Sequence, residues 1–228
     1  RIELRRGRRM SGNLYNPVLI LTVILAFGIA PFVALMVTSY TKLVIVFGLL
    51  RAALGLQQVP PNMVLNGIAI ILTAYIMAPI GADAFDAIER RAQSNAPFNV
   101  GDVVTVYDSV SGPLKEFLIK HTEERNRTFF VQSAKRIWPE GRADDLQPDD
   151  MMVLIPSFTL SELTRAFQIG FIIYLVFVVV DLIVAAILLA LGMSMIAPTT
   201  ISVPFKLLLF VMLEGWTQLI QGLVLSYR

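Results

Sequence analysis

Four stretches of this 228-residue chain are almost free of charge, and each is long enough to cross a lipid bilayer. They lie near residues 17–37, 63–82, 166–191 and 203–224. Lys, Arg, Asp and Glu supply only 16% of the residues and hydrophobic residues 56%, where an average soluble domain is about 25% charged. The few charges are also crowded: 13 acidic and nine basic side chains fall within residues 83–150. Residues 10–41 and 52–82 carry none, and Asp181 is alone between 166 and 205. A bilayer core takes about 20 mainly apolar residues per helix. One such window fits a helix buried in a soluble core, but four exceed what the rest of this chain can cover. Disorder is excluded by the apolar content, and the runs are too continuously apolar for the alternation of a membrane barrel. Only helices and closed barrels satisfy their own backbone in lipid. The predicted fold is therefore an all-α integral membrane protein, with four long hydrophobic helices in two pairs flanking a small, mostly helical polar domain.

Along the chain this gives four parts. Residues 1–9 hold Arg1, Arg5, Arg6, Arg8 and Arg9 ahead of Met10 and read as a basic extension, upstream of the protein proper or not native to it. Residues 10–82 carry the first hydrophobic pair, 83–150 the polar domain, and 151–228 the second pair with a Met-containing loop. Residues 42–56 are helical in pattern, with Lys42 and Arg51 as their only charges, and Pro60-Pro61 stops that helix. The next helix is expected from Met63, and Pro31 and Pro79 should kink or end helices. In the polar part, 86–93 reads as an exposed helix and 94–101 as a turn. Residues 102–122 read as one or two helices broken at Gly112-Pro113, and 127–138 as a short amphipathic helix. His121 reads as a solvated surface side chain. Orientation stays open. The Arg arm pulls the N-terminus inside, whereas counting from Met10 leaves Lys42 and Arg51 to pull the first connection inside and the polar domain out.

The sequence offers little to a chemist. With no cysteine and one histidine, it has no disulfide framework, thiolate metal site or cysteine nucleophile. It lacks a dinucleotide fingerprint, a phosphate-binding loop and a zinc-protease motif, and a nucleophile elbow. No enzyme activity, cofactor or metal is expected, and a net charge of +2 gives no argument for nucleic acid. The informative residues are charges stranded in apolar sequence: Glu162, Arg165, Asp181, Lys206 and Glu214. Each costs about 2.5–3.5 kcal/mol to insert, so each should face protein, water or a headgroup. One reading makes Glu162 and Arg165 an i,i+3 surface pair and lets Lys206 snorkel from a helix start. The other pairs Glu162 with Lys206, within a protomer or between protomers. Asp181 and Glu214 lie deeper and suit a polar pore, a helix end or a proton site. Gly192-Met193-Ser194-Met195-Ile196-Ala197-Pro198 joins the last two windows. It is either a packed hairpin connection or a deformable apolar constriction.

Several strings are more specific than membrane physics requires. They are Thr38-Ser39-Tyr40-Thr41-Lys42-Leu43, Gln57-Gln58-Val59-Pro60-Pro61-Asn62, Ser161-Glu162-Leu163 with Ala166-Phe167-Gln168-Ile169-Gly170-Phe171, and Ser202-Val203-Pro204-Phe205-Lys206-Leu207-Leu208-Leu209-Phe210. In order and spacing the chain resembles the FliP/SctR family of type III secretion export-gate proteins across residues 16–227. The resemblance implies an inner-membrane homo-oligomer, about five copies that form a helical, conical gate around a secretion channel with FliQ/SctS-like and FliR/SctT-like membrane subunits. It implies that unfolded secreted proteins pass through this gate, that the polar domain is periplasmic, and that the N-terminus is therefore outside. It implies a pore gasket at Met193, Ser194, Met195 and Ile196, with Ser194 departing from the more methionine-rich flagellar form. It implies an inter-subunit charge pair of Glu162 with Lys206. The short lead before the first helix leans toward the injectisome branch over the flagellar one. The alternative from another class is an ion-coupled small-solute carrier using Asp181, Glu162 and Glu214, which should show broken helices and internal repeats. A third is a membrane scaffold without a pore.

Overall fold

A computed structural model describes residues 17–92 and 100–228. The basic extension and most of the turn expected at 94–101 lie outside the described residues. Eight α-helices follow in order: α1 (Pro17–Met36), α2 (Tyr40–Ala53), α3 (Asn62–Ala92), α4 (Val100–His121), α5 (Glu124–Ile137), α6 (Met151–Ala190), α7 (Pro198–Met212) and α8 (Gly215–Leu225). Among the described residues there is no strand, as the sequence predicts. The chain forms two bodies, one ending at Leu35 and the other running from Met36 to Arg228. The first holds all of α1 but its last residue, and Pro31 lies inside that helix.

The second body is built around α2. Leu43, Val46 and Phe47 of α2 pack with Leu65 and Ala69 of α3, Ala166 of α6 and Leu223 of α8. Further along α2, Leu50 and Ala53 meet Leu54, Phe177 and Phe210. Each of the Leu, Val and Phe side chains contributes about 1.5–3 kcal/mol when fully buried. The segment read as a connection between membrane helices is thus the central core helix. Its end is a Schellman cap. Gly55, at φ 77, donates to Ala52 O at 3.0 Å and Leu56 donates to Arg51 O at 3.2 Å. Arg51 then reaches Pro60 O at 3.2 Å and Asn62 Oδ1 at 2.6 Å, tying the proline turn to the start of α3.

Three helix expectations need correction. The helices expected at 63–82 and 86–93 are one, the 31-residue α3 with Pro79 inside. Beyond that proline come Ala, Asp, Glu and Arg with nothing to stop the helix. Gly112-Pro113 likewise leaves α4 unbroken. The expected window 166–191 belongs to a 40-residue helix that starts at Met151, about 60 Å long and twice the depth of a hydrocarbon core.

The fourth window is the reverse case. It is not one long helix, because α7 and α8 meet at a 62° bend at residues 213–214. Among the described residues two helices, Asn62–Ala82 within α3 and α6, are long and apolar enough to cross a membrane, or three if the bent pair is one span. That is fewer than the four long helices expected.

Candidate functional site

Two buried charge clusters and one exposed loop gather most of the residues singled out by sequence. The first cluster centres on Glu162, on the fourth turn of α6, whose side chain is 0% exposed. Lys42 of α2, 1% exposed, approaches its Oε2 to 3.3 Å. Arg165, one turn on, reaches Oε1 at 3.3 Å and also donates to His121 O at 2.9 Å. The Tyr227 hydroxyl donates to Oε2, and the Lys42 ammonium lies 3.6 Å above the Tyr227 ring centre. Glu162 is therefore satisfied from α2, α6 and the segment after α8. Ser161 beside it bonds Asn126 Nδ2 at 2.8 Å, which fixes α5 to the same turn. The expected i,i+3 pair of Glu162 with Arg165 exists, but it is not a surface pair.

His121 is a second correction. It is 5% exposed, with its ring 4.7 Å from Phe117 and 5.1 Å from Tyr227. Burial, and then the positive charge of Lys42, push its pKa down from 6.5 to about 4, so it is neutral near pH 7. Burial also lowers Lys42 from its ordinary value, against the pull of Glu162. It raises the Tyr227 phenol, so that this group stays protonated and able to donate. Sequence reasoning missed Lys42, Tyr227 and His121 as members of a cluster. The only available signal was that Lys42 opens an otherwise apolar helix.

The second cluster joins α6 and α7. Lys206 Nζ donates to Asp181 Oδ2 at 2.6 Å and to Ala53 O, at the end of α2, at 3.1 Å. The lysine is bonded to a carboxylate and a helix end, so it does not snorkel outward. Among the described residues Asp181 Oδ1 and Ser202 Oγ are buried and meet no partner at hydrogen-bond geometry, though Ser202 stands close enough to Asp181 to interact with it; beside them is a cavity of about 600 Å³ that Gln57, Thr199 and Thr200 help to line. Within the chain, Glu162 and Lys206 bond other residues and not each other. Within one chain the structure thus brings Asp181 to Lys206 and Arg165 to Glu162.

The loop from 193 to 196 follows directly from how α6 ends. Gly192, at φ 74, bonds Leu189 O at 3.0 Å and Met193 bonds Leu188 O at 2.9 Å, a second Schellman cap. It turns the chain away from the helix. Pro198 opens α7 at its first turn. Met193 and Ile196 are partly covered, whereas Met195 is 97% exposed and Ser194 is exposed. The loop is not a packed hairpin connection. Glu214, expected inside a long helix, stands in the break between α7 and α8 with φ 51 and ψ 41. Among the described residues no group of three or more His, Asp or Glu side chains is placed to hold a metal ion.

The FliP family model matches residues 20–223. A protein described as pathogenicity-related ORF2 of Xanthomonas campestris pv. glycines is 53% identical over 210 residues, 92% of this chain and 96% of that one. The hypersensitivity response secretion protein HrcR of Ralstonia nicotianae is 49% identical, covering 92% of this chain and 96% of its own. The Yop proteins translocation protein R of Yersinia pestis is 48% identical, covering 91% and 95%.

Proposed function

The chain belongs to the FliP family, on the SctR branch of type III secretion, and from that premise we propose that it is a non-enzymatic, pore-forming subunit of an export gate in the bacterial inner membrane. In this reading about five copies form a helical, conical gate with FliQ/SctS-like and FliR/SctT-like subunits, and unfolded proteins pass through it. The polar segment 83–150 faces the periplasm. The observation that carries the reading is the loop at 193–196: soft apolar side chains held out on a rigid cap, with Met195 left 97% exposed by the described residues. Such side chains from several copies would meet at an axis and exclude water and ions. The broad exposed apolar faces of α6 and α7, with Phe171, Leu175, Leu182, Leu208 and Val211, fit burial against neighbours or lipid.

The carrier reading needs free intramembrane carboxylates. Of its three carboxylates, Asp181 is bonded to Lys206 and Glu162 to Lys42 and Arg165, which leaves Glu214 alone without a partner among the described residues, so the export reading is the better supported.

The test is a paired substitution, Met193→Asp with Met195→Asp, read by complex recovery, secretion and ion leak. The complex should purify at unchanged mass while leak rises or secretion falls. An intact complex with both readouts unchanged would remove the seal and leave a scaffold without a pore.

A further inference from the structure

The loop at 193–196 is carried on a hairpin of α6 and α7, and one polar rung crosses its stem. Phe177 and Phe210 face each other across the stem, 6.5 Å apart at their ring centres. One turn nearer the loop, Lys206 Nζ donates to Asp181 Oδ2 at 2.6 Å. Among the described residues this is the one ion pair between the two helices. Ser202, a further turn on and closed off from solvent, stands beside the same carboxylate. The rung lies level across the stem. From Asp181 to the end of α6 at Ala190, and from Lys206 to the start of α7 at Pro198, the helix axes run about 14 and about 12 Å.

Lys206 also reaches out of the hairpin. Its ammonium donates to Ala53 O at 3.1 Å, at the carbonyl end of α2, where the helix dipole favours a positive charge. A second contact joins the same two elements: a Cβ on Gly55, the capping glycine of α2, would lie 2.9 Å from Val203 Cγ2. The enclosed core helix thus meets the hairpin through Lys206, and Asp181 aims that side chain. Lys206 is 5% exposed and Asp181 35%, so without the carboxylate the ammonium would be left buried with one carbonyl as its partner. Past the rung, Leu182, Ile183, Ile187 and Leu189 of α6 are exposed, and only Val184 and Leu188 are buried. The angle of the tip to the core is therefore set at the rung and at the Gly55–Val203 contact beside it. We propose that Asp181 is a positioning residue of the seal: through Lys206 it locks the α6–α7 hairpin onto the end of α2 and sets where residues 193–196 stand. This inference rests on the pore reading for what the loop does, and it adds the residue that places it.

The chain has no cysteine, so Ser194→Cys gives it a single thiol, in the loop. The alkylation rate of that thiol, read by mass spectrometry on this chain in the complex purified from membranes, reports where the loop stands. Asp181→Asn should leave the complex at unchanged mass, raise the rate severalfold and let ions leak. Lys206→Met, which leaves only the part-exposed carboxylate unpaired, should do the same, and Asp181→Glu should stay close to the parent. Phe177→Leu weakens the neighbouring rung without touching the charge pair. It should lower the thermal midpoint and leave the thiol rate unmoved, which separates placement from plain stability. An assembled Asp181→Asn or Lys206→Met complex with rate and leak unchanged would overturn the proposal. Failure of both to assemble, or an equal rise in rate with Phe177→Leu, would overturn it too. If the Met193 and Met195 substitutions alter leak while Asp181→Asn moves neither readout, the placement falls and the pore stands. A raised thiol rate with a leak indifferent to those substitutions would sustain the placement and sink the pore.

Discussion

Lys42 and Glu162 illustrate how one buried charge constrains many neighbours. Both are closed off from solvent, so neither can lose its partner to water. Lys42→Met leaves Glu162 with only Arg165 and Tyr227, and removal of one member of a buried pair costs about 3–5 kcal/mol. Adding Glu162→Gln should restore much of the loss, and thermal or denaturant unfolding in detergent of the single and double variants checks this. His121 sets a pH dependence of known sign. Its folded pKa of about 4 lies below its ordinary 6.5, so the unfolded chain binds the extra proton more readily. The stability from neutral His121 is complete above 6.5 and is lost progressively as pH falls toward 4. The thermal midpoint should drop between about pH 7 and pH 5, and His121→Phe should flatten that part of the profile. The sequence made Glu162, Lys206 and Asp181 visible, because a charge in an apolar run announces itself. It hid their partners, because Lys42 and Glu162 stand 120 residues apart and no local spacing encodes that meeting. His121 was misread for the same reason: its sequence neighbours are charged, while its spatial neighbours are Phe117 and Tyr227.

At the level of elements, helix existence was legible and helix extent was not. Apolar runs mark where α1, α3 and α6 pass, but a helix continues until something stops it, and a proline within good helix formers does not. The two reliable stops are Gly55 and Gly192, both left-handed and both Schellman-capped. The bend at Glu214 had no glycine at the turning residue, so nothing in the pattern separated α7 from α8. Contact between elements has its own sharp requirement at Gly170, buried on α6 against α2. A Cβ there would lie 2.9 Å from Leu49 Cβ and 3.1 Å from Leu49 Cγ, closer than packed carbons approach. Gly170→Ala should cost about 1–3 kcal/mol through overpacking, read as a lowered unfolding midpoint. Gly48 has open space around it, so Gly48→Ala in the same region is the control and should not destabilise.

For the whole molecule, the balance between covered and uncovered apolar surface decides how it must live. α2 is enclosed, whereas α6 and α7 show apolar side chains along much of their length. A chain so built is expected to appear by native mass spectrometry as a discrete ring of about five copies, or as a larger mixed complex when companions are co-expressed. A stable monomer that ignores both companions would count against the export gate. The long helix α6 also sets a mechanical scale. The turn that carries Ser161, Glu162 and Arg165 is tied to α2, α4, α5 and the segment after α8 near one end of this rod, and Met193 leaves the capped far end. The 30 residues between Glu162 and Met193 make an arm of about 45 Å. A tilt of about 10° at the clamp swings the tip by about 8 Å at that length, more than the width of a methionine side chain. In such a geometry the charge cluster has the place of a fulcrum, and a small tilt there would be magnified into a much larger displacement at the loop.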